Sequence, residues 1–259
     1  FALIYAENFS WSLTYQLMAI LMGLNILLSV FISSEKPNSN LKKLNYQQSL
    51  IEPVRDFFDR FGIKIASILL LIVATYRLTD IVMGPMANPF YIDMGYSLSE
   101  IGYVVKIVAL IATIIGVFVG GIFIKRLGLY HSLLLGAFLV MVTNLCFSYA
   151  SISDKNLFLL ASIVASDSFA AGIVGTVNIT FLTSLVSKKY PGFQYALLTS
   201  LMAFLGKVFG GFSGIFVENF QLIYGFNYGW MSFYIFTSML AIPAIIMIVL
   251  NKNFFLSQR

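Results

Sequence analysis

The chain has 259 residues, 59% of them hydrophobic and only 10% charged, with a mean hydropathy of +0.89. Soluble domains carry about one-quarter charged residues, so a soluble globular fold is excluded and the chain reads as an integral membrane protein. Its net charge of +5 reflects loop topology, because membrane proteins gather Lys and Arg in cytoplasmic loops, and no nucleic-acid partner is expected.

Apolar stretches near the ~20 residues that cross a bilayer core predict helices at 11–33, 61–91, 99–123, 129–150, 156–186, 192–217 and 229–250. The ~10-residue polar–apolar alternation of a membrane barrel is absent, so the fold class is all-α. Residues 1–6 read as the tail of a preceding helix. With no initiating Met and no signal peptide before Phe1, the chain is expected to be part of something longer.

The connection SSEKPNSNLKKLNYQQSLIEPVRDFFDR, residues 33–60, is polar, and its end suggests an amphipathic helix near Ser49 to Phe61. It separates one predicted helix from six. The implied organisation is 1–33 as the end of one bundle, 34–60 as a cytoplasmic loop, 61–250 as a six-helix bundle and 251–259 as a tail. Basic residues alternate along the connections. Lys36, Lys42, Lys43, Arg55 and Arg60 precede the second helix, Lys125 and Arg126 follow the third, Lys188 and Lys189 the fifth, and Lys252 and Arg259 end the chain. The other connections hold Glu7, Asp93, Asp154 with Lys155, and Glu218. This alternation predicts a cytoplasmic C-terminus.

Charges at membrane depth need protein or water around them, since each costs at least ~2.5–3.5 kcal/mol at a helix centre. Arg77 and Asp80 are three residues apart, share a helix face and can neutralise each other. They fit a substrate or proton site, and equally a structural ion pair. Lys106, Asp167 and Lys207 lie in later helices and are expected to converge with them on a polar cavity whose cationic surplus suits an acidic substrate. Gly84, Pro85 and Pro89 would bend the outer end of the second helix, as a gate or as a static kink. Ser168, Gly172, Thr176, Thr180 and Ser184 form a small polar stripe beside Asn178, which suits close packing or a transport path. Gly116 and Gly120, and again Gly206, Gly210 and Gly214, have the GxxxG spacing of close helix contacts.

Cys146 stands alone in an apolar run, and His131 at a helix edge has no companion ligands. Neither a metal cluster, a phosphate-binding loop nor a nucleophile elbow is present in the sequence. No enzyme, metal or cofactor is expected.

One long loop between bundles, with repeats nested inside each bundle, is the plan of a twelve-helix major facilitator transporter. The blocks YRLTDIVMGPMANPF, EIGYVVKIVALIATIIGVFVGGI with its KRLG ending, FQYALLTSLMAFLGKVFGG and SGIFVENF resemble, in order and spacing, the C-terminal half of the AmpG-type muropeptide permeases of that superfamily. GGIFIKRLG, from Gly120 and Gly121 through Lys125 and Arg126 to Gly128, is similar to the glycine-and-basic loop of major facilitator proteins, though it lacks the acidic member. Its basic residues would touch lipid headgroups and a neighbouring helix end during gating.

The resemblance implies a bacterial inner-membrane permease with a major facilitator fold. Such a permease takes up anhydromuropeptides, which are acidic sugar-peptides, by proton symport for peptidoglycan recycling. This chain would supply the C-terminal bundle, and an N-terminal bundle would be its partner within the bilayer. Arg77 and Asp80 match the family's cation-x-x-Asp pair, Lys106 its lysine, and Gln194 the Gln that opens the next-to-last helix. Where the family usually has Phe-Glu-Asn, this chain has Ala165, Ser166, Asp167 and Ser168. Where the family has Gly-Arg, it has Gly206-Lys207, keeping charge and losing bidentate recognition. The alternatives are a carrier of another acidic metabolite such as acetyl-CoA, or a truncated remnant that does not transport.

Overall fold

The architecture comes from a computed structural model, which describes residues 6, 10–32 and 50–256. The predicted tail at 1–6, apart from Ala6, and most of the polar connection lie outside the described residues. The helices, in chain order, are α1 Trp11–Ile32, α2 Glu52–Thr75, α3 Leu78–Asp93, α4 Leu98–Glu100, a π-helical segment Ile101–Val108, α5 Ala109–Ala150, α6 Leu157–Leu185, α7 Pro191–Gly211, α8 Ser213–Tyr224, α9 Phe226–Met239, α10 Ile242–Leu250 and α11 Lys252–Leu256.

Six continuous stretches are long and apolar enough to cross a membrane. One of them, Leu98–Ala150, has 53 residues, which at 1.5 Å each is about 80 Å, far beyond a core of ~30 Å. It folds back at Gly128, whose φ of 78° and ψ of 168° break the helix in a conformation that glycine adopts without strain. The neighbours on α6 record the reversal. Before the break, Gly116 meets Phe169 and Gly172, and Gly120 meets Ile173 and Thr176, so the two helices ascend together. After it, Gly136 meets Val174 and Thr143 bonds Asp167, so they run opposed. The described residues therefore make seven crossings, at the places where seven helices are predicted.

Gly62, with φ 71°, breaks α2 in the same way. The residues before it form the expected amphipathic segment, with Pro53 and Phe57 buried and Arg55 and Asp59 exposed. Beyond it the second crossing departs from helical geometry at Arg77, with φ −106° and ψ 11°. Gly84, Pro85 and Pro89, where a bend is predicted, lie further on, inside α3, which accommodates both prolines without a break. Pro85 has no N–H for the carbonyl of Ile81. That carbonyl faces Gly210, where a Cβ would lie 3.0 Å from it.

The two ends of the bundle are built differently. At the Gly128 end, aromatic contacts join the terminal helix to the bundle: Phe61 to Phe254 at 5.7 Å and Phe181 to Phe255 at 5.8 Å between ring centres. At the other end, Trp230 Nε1 donates to Asp93 at 3.0 Å, Lys155 pairs with Glu100 at 2.8 Å, and Tyr96 Oη bonds the backbone of Asn156. The exposed cations Arg55, Lys64, Lys125, Arg126, Lys188, Lys189 and Lys252 belong to the Gly128 end. Helix α1 stands apart, with its large apolar side chains exposed from Leu13 to Phe31.

Candidate functional site

The buried apolar side chains form two clusters, one above the other. The cluster toward the Gly128 end is bordered by Tyr76, Val140, Ala170 and Ala244. The cluster toward the opposite end is bordered by Met83, Phe147, Val164 and Tyr234. Between these boundary residues four crossings carry polar groups. The second crossing has Arg77 and Asp80, the fourth Thr143 and Asn144, the fifth Asp167, and the last Thr237 and Ser238. A polar layer thus divides the core at about the middle of the crossings.

Within the layer, Arg77 Nη2 reaches Asp80 Oδ2 at 3.3 Å, with side chains 30% and 16% exposed. The break before α3 makes this possible, because Arg77 sits at its N-cap and Asp80 in its first turn. Asp167 Oδ1 accepts a hydrogen bond from Thr143 Oγ1 at 2.9 Å. Deeper in, Thr237 Oγ1 donates to Asn144 Oδ1 at 2.8 Å and Ser238 Oγ to the Met141 carbonyl at 3.0 Å. These bonds tie the fourth crossing to the last.

Arg77, Asp80 and Asp167 therefore lie in one polar layer, the first two as an ion pair and Asp167 bonded to Thr143, and the remaining predicted residues are distributed around that layer. Lys207 lies at the level of the layer, since its neighbour Gly206 packs on Ile81. Lys207 is exposed and has no ion-pair partner among the described residues. Lys106, also exposed, sits in the π-helical segment beside Val105 of the outer cluster. Asn178 is 3% exposed and faces Met202, its Nδ2 lying 3.5 Å from the sulfur. Gly84 and Gly121 have open space where a Cβ would be, whereas Gly120, Gly206 and Gly210 are in helix contacts. Gly172 and Thr176 of the polar stripe face the Gly116 and Gly120 helix, which is close packing.

Gln194 is not among the layer residues. Some 13 positions from Lys207, about 20 Å along a helix, it is 2% exposed and fully engaged at the Gly128 end. Its Oε1 accepts from Ser187 N at 2.7 Å and Arg60 Nη2 at 3.0 Å. Its Nε2 donates to the Pro53 carbonyl at 2.8 Å and Asp56 Oδ2 at 3.0 Å. The side chain, on α7, fastens the amphipathic segment of α2 onto α7 and the connection that follows α6. Gln194→Leu should lower stability by about 2–3 kcal/mol, because buried partners are left unpaired. Thermal unfolding of the purified protein checks this, and an unchanged midpoint would discount the staple.

Sequence reading did not pick out Thr143, Asn144, Thr237 or Tyr76. The first two were visible as a polar pair within an apolar run. Tyr76, whose hydroxyl donates to the Leu133 carbonyl at 3.2 Å, gives no signal without the neighbouring helix.

Against known proteins, residues 1–211 match the model of the Major Facilitator Superfamily. The chain is 30% identical to the Anhydromuropeptide permease of Escherichia coli K12, over 94% of this chain and 47% of that protein. It is 29% identical to AmpG 4 of Rickettsia felis, over 94% of this chain and 58% of that one. It thus spans about half the length of the curated relatives it matches. In fold it is similar to a bacterial homolog of the human lysosomal transporter Spinster, crystallised in an inward-facing, unoccupied conformation. The TM-score is 0.63 and the identity 16%, over 95% of this chain and 60% of that structure.

Proposed function

Because this chain belongs to the Major Facilitator Superfamily, we propose that it forms the C-terminal side of a bacterial inner-membrane permease that imports anhydromuropeptides with protons. The observation that carries this reading is the likeness to the Escherichia coli permease along nearly the whole chain. The polar layer supplies the chemistry. Asp80 and Asp167 are carboxylates that can change charge inside a protein-lined site, and Arg77 and Lys207 present cations to the acidic groups of a sugar-peptide. Lys106, one level nearer the Asp93 end, meets the substrate earlier. Asn178 and Gln194 act from the Gly128 side, Gln194 by holding α2 in place.

Alternating access needs a second bundle as the opposite wall, and we assign that role to an N-terminal bundle of the same transporter. The exposed cations of the Gly128 end support a cytoplasmic position for that end, and for the C-terminus with it. Gly84, Pro85 and Pro89 then shape the outer entrance, and Gly120, Gly121, Lys125 and Arg126 the inner gate.

In bacteria lacking their own permease, this chain together with an N-terminal bundle should accumulate labelled anhydromuropeptide, and a protonophore should abolish the accumulation. Competition by coenzyme A thioesters but not by muropeptides would move the cargo to another acidic metabolite. Absence of any accumulation would leave the chain a remnant that does not transport.

A further inference from the structure

Thr143 is buried, and its hydroxyl has two acceptors within reach: Asp167 Oδ1 on α6 at 2.9 Å and the Val140 carbonyl of its own helix at 3.1 Å. A hydroxyl carries one proton, so it donates fully to one of them at a time. The Val140 carbonyl also accepts from Asn144 Nδ2 at 3.0 Å. Asn144 and Thr237 are wholly buried. Asn144 Oδ1 accepts from Thr237 Oγ1 at 2.8 Å, and the Thr237 hydroxyl has its own alternative in the Tyr234 carbonyl at 3.0 Å. A continuous chain of hydrogen-bonding groups thus runs from Asp167 through the fourth crossing to the last, and at both of its hydroxyls a single proton is shared between two acceptors.

The two acceptors of Thr143 are unequal, and charge decides between them. Hydrogen bonds to an ionised group are about twice as strong as neutral ones, so a charged Asp167 draws the hydroxyl to Oδ1 and leaves the Val140 carbonyl to Asn144. A neutral carboxyl is the weaker acceptor and has an O–H that can itself donate to Thr143 Oγ1. The Thr143 proton then turns to the Val140 carbonyl, where it competes with Asn144. We infer that Thr143 is a positioning residue for Asp167, and that the turn of its hydroxyl passes the charge state of Asp167 through Asn144 to Thr237 on the last crossing. This rests on the proton-coupled reading above and adds to it a route between crossings, with the rotating hydroxyl as its two-state element. No bond other than hydrogen bonds is exchanged along the route. The transported proton enters and leaves at Asp167, which is half-buried, by way of water in the layer.

The ionisable side chains on the surrounding crossings are Arg77 and Asp80, paired at 3.3 Å, Tyr91 on α3, Cys146 on α5, the exposed Lys106 and Lys207, and Tyr234 on α9, whose hydroxyl has no hydrogen-bond partner among the described residues. Among the described residues only Thr143 donates a hydrogen bond to Asp167. Donors to a charged carboxylate favour that form, so removing this one should make Asp167 hold its proton to higher pH. The test is an infrared titration of the protonated carboxyl band in the purified chain in lipid nanodiscs, with Asp167→Asn identifying the band. Thr143→Val, which keeps the shape and removes the hydroxyl, should raise the midpoint by about one pH unit, a tenfold change in proton affinity, and Thr143→Ser should return it to the parent value. Thr237→Val should raise it by a smaller amount, because an Asn144 amide without its donor holds the Val140 carbonyl less firmly. An unchanged midpoint in Thr143→Val, an equal rise in Thr143→Ser, or the absence of any band that Asp167→Asn removes would overturn the inference. A midpoint unmoved in Thr237→Val would overturn the route to the last crossing. Should Thr143→Val fail to fold, Thr143→Cys, whose thiol is a weak donor, takes its place with a rise in the same direction. The titration needs no transport, so failed uptake would count against the permease reading and leave this result standing.

Discussion

Arg77→Leu should destabilise the protein more than Arg77→Leu combined with Asp80→Leu. The two charges lie 3.3 Å apart at a mostly covered position, and removing one partner leaves the other uncompensated, which for buried pairs costs about 3–5 kcal/mol. Because the Arg77 side chain is 30% exposed, on the order of 2–3 kcal/mol is expected for the single variant. Replacing both partners with apolar groups removes the desolvation of both charges, and such double replacements are often neutral or stabilising. The double variant should therefore unfold close to the parent protein. In the uptake assay the two should behave alike, because neither keeps the pair. If the double variant transports normally, the pair only holds the bundle together and its place in the proposed pathway is lost.

Gly172→Val should separate two crossings. A Cβ at Gly172 would meet the Thr113 carbonyl oxygen, with Val117 N at 2.9 Å and Gly116 C at 3.0 Å. All of these are backbone atoms, so no side chain can rotate to make room. The α5 and α6 backbones would have to move apart along the whole GxxxG face, forfeiting the van der Waals contact that drives helix association in lipid. The cost is on the order of 3 kcal/mol, at the upper end of overpacking penalties. Gly175→Val is the contrast: one turn on, a Cβ at Gly175 has nothing within 4 Å. Equal loss of thermal stability in the two variants would rule out the close crossing.

Much of this was legible in the sequence, for separate physical reasons. The seven crossings follow from hydropathy, and the breaks at Gly62 and Gly128 fall close to predicted helix starts, where glycine can take the positive φ that ends a helix. The Arg77–Asp80 pair was legible because i, i+3 spacing alone brings the side chains together. The four partners of Gln194 were not, since they come from residues 53, 56, 60 and 187, which only the folded chain assembles. Tyr234 stayed hidden for a related reason: an aromatic among Trp230 and Phe233 reads as core, and only its unpaired hydroxyl distinguishes it. The break at Arg77 was also unmarked, because the glycine and prolines that signal a bend in this crossing all lie further toward its outer end.

The polar layer has a mechanical consequence. It sits between two apolar blocks, each packed within itself, so it is a fulcrum. Tilting one block against the other disturbs chiefly hydrogen bonds and the Arg77–Asp80 ion pair, which can re-form, while both packed interiors stay intact. A half-crossing of about ten residues is an arm of ~15 Å, and a tilt of roughly 10° about the layer moves its tip by about 3 Å. Small changes of charge at Asp80 and Asp167 would then be amplified at the distant helix ends, where a passage opens or shuts.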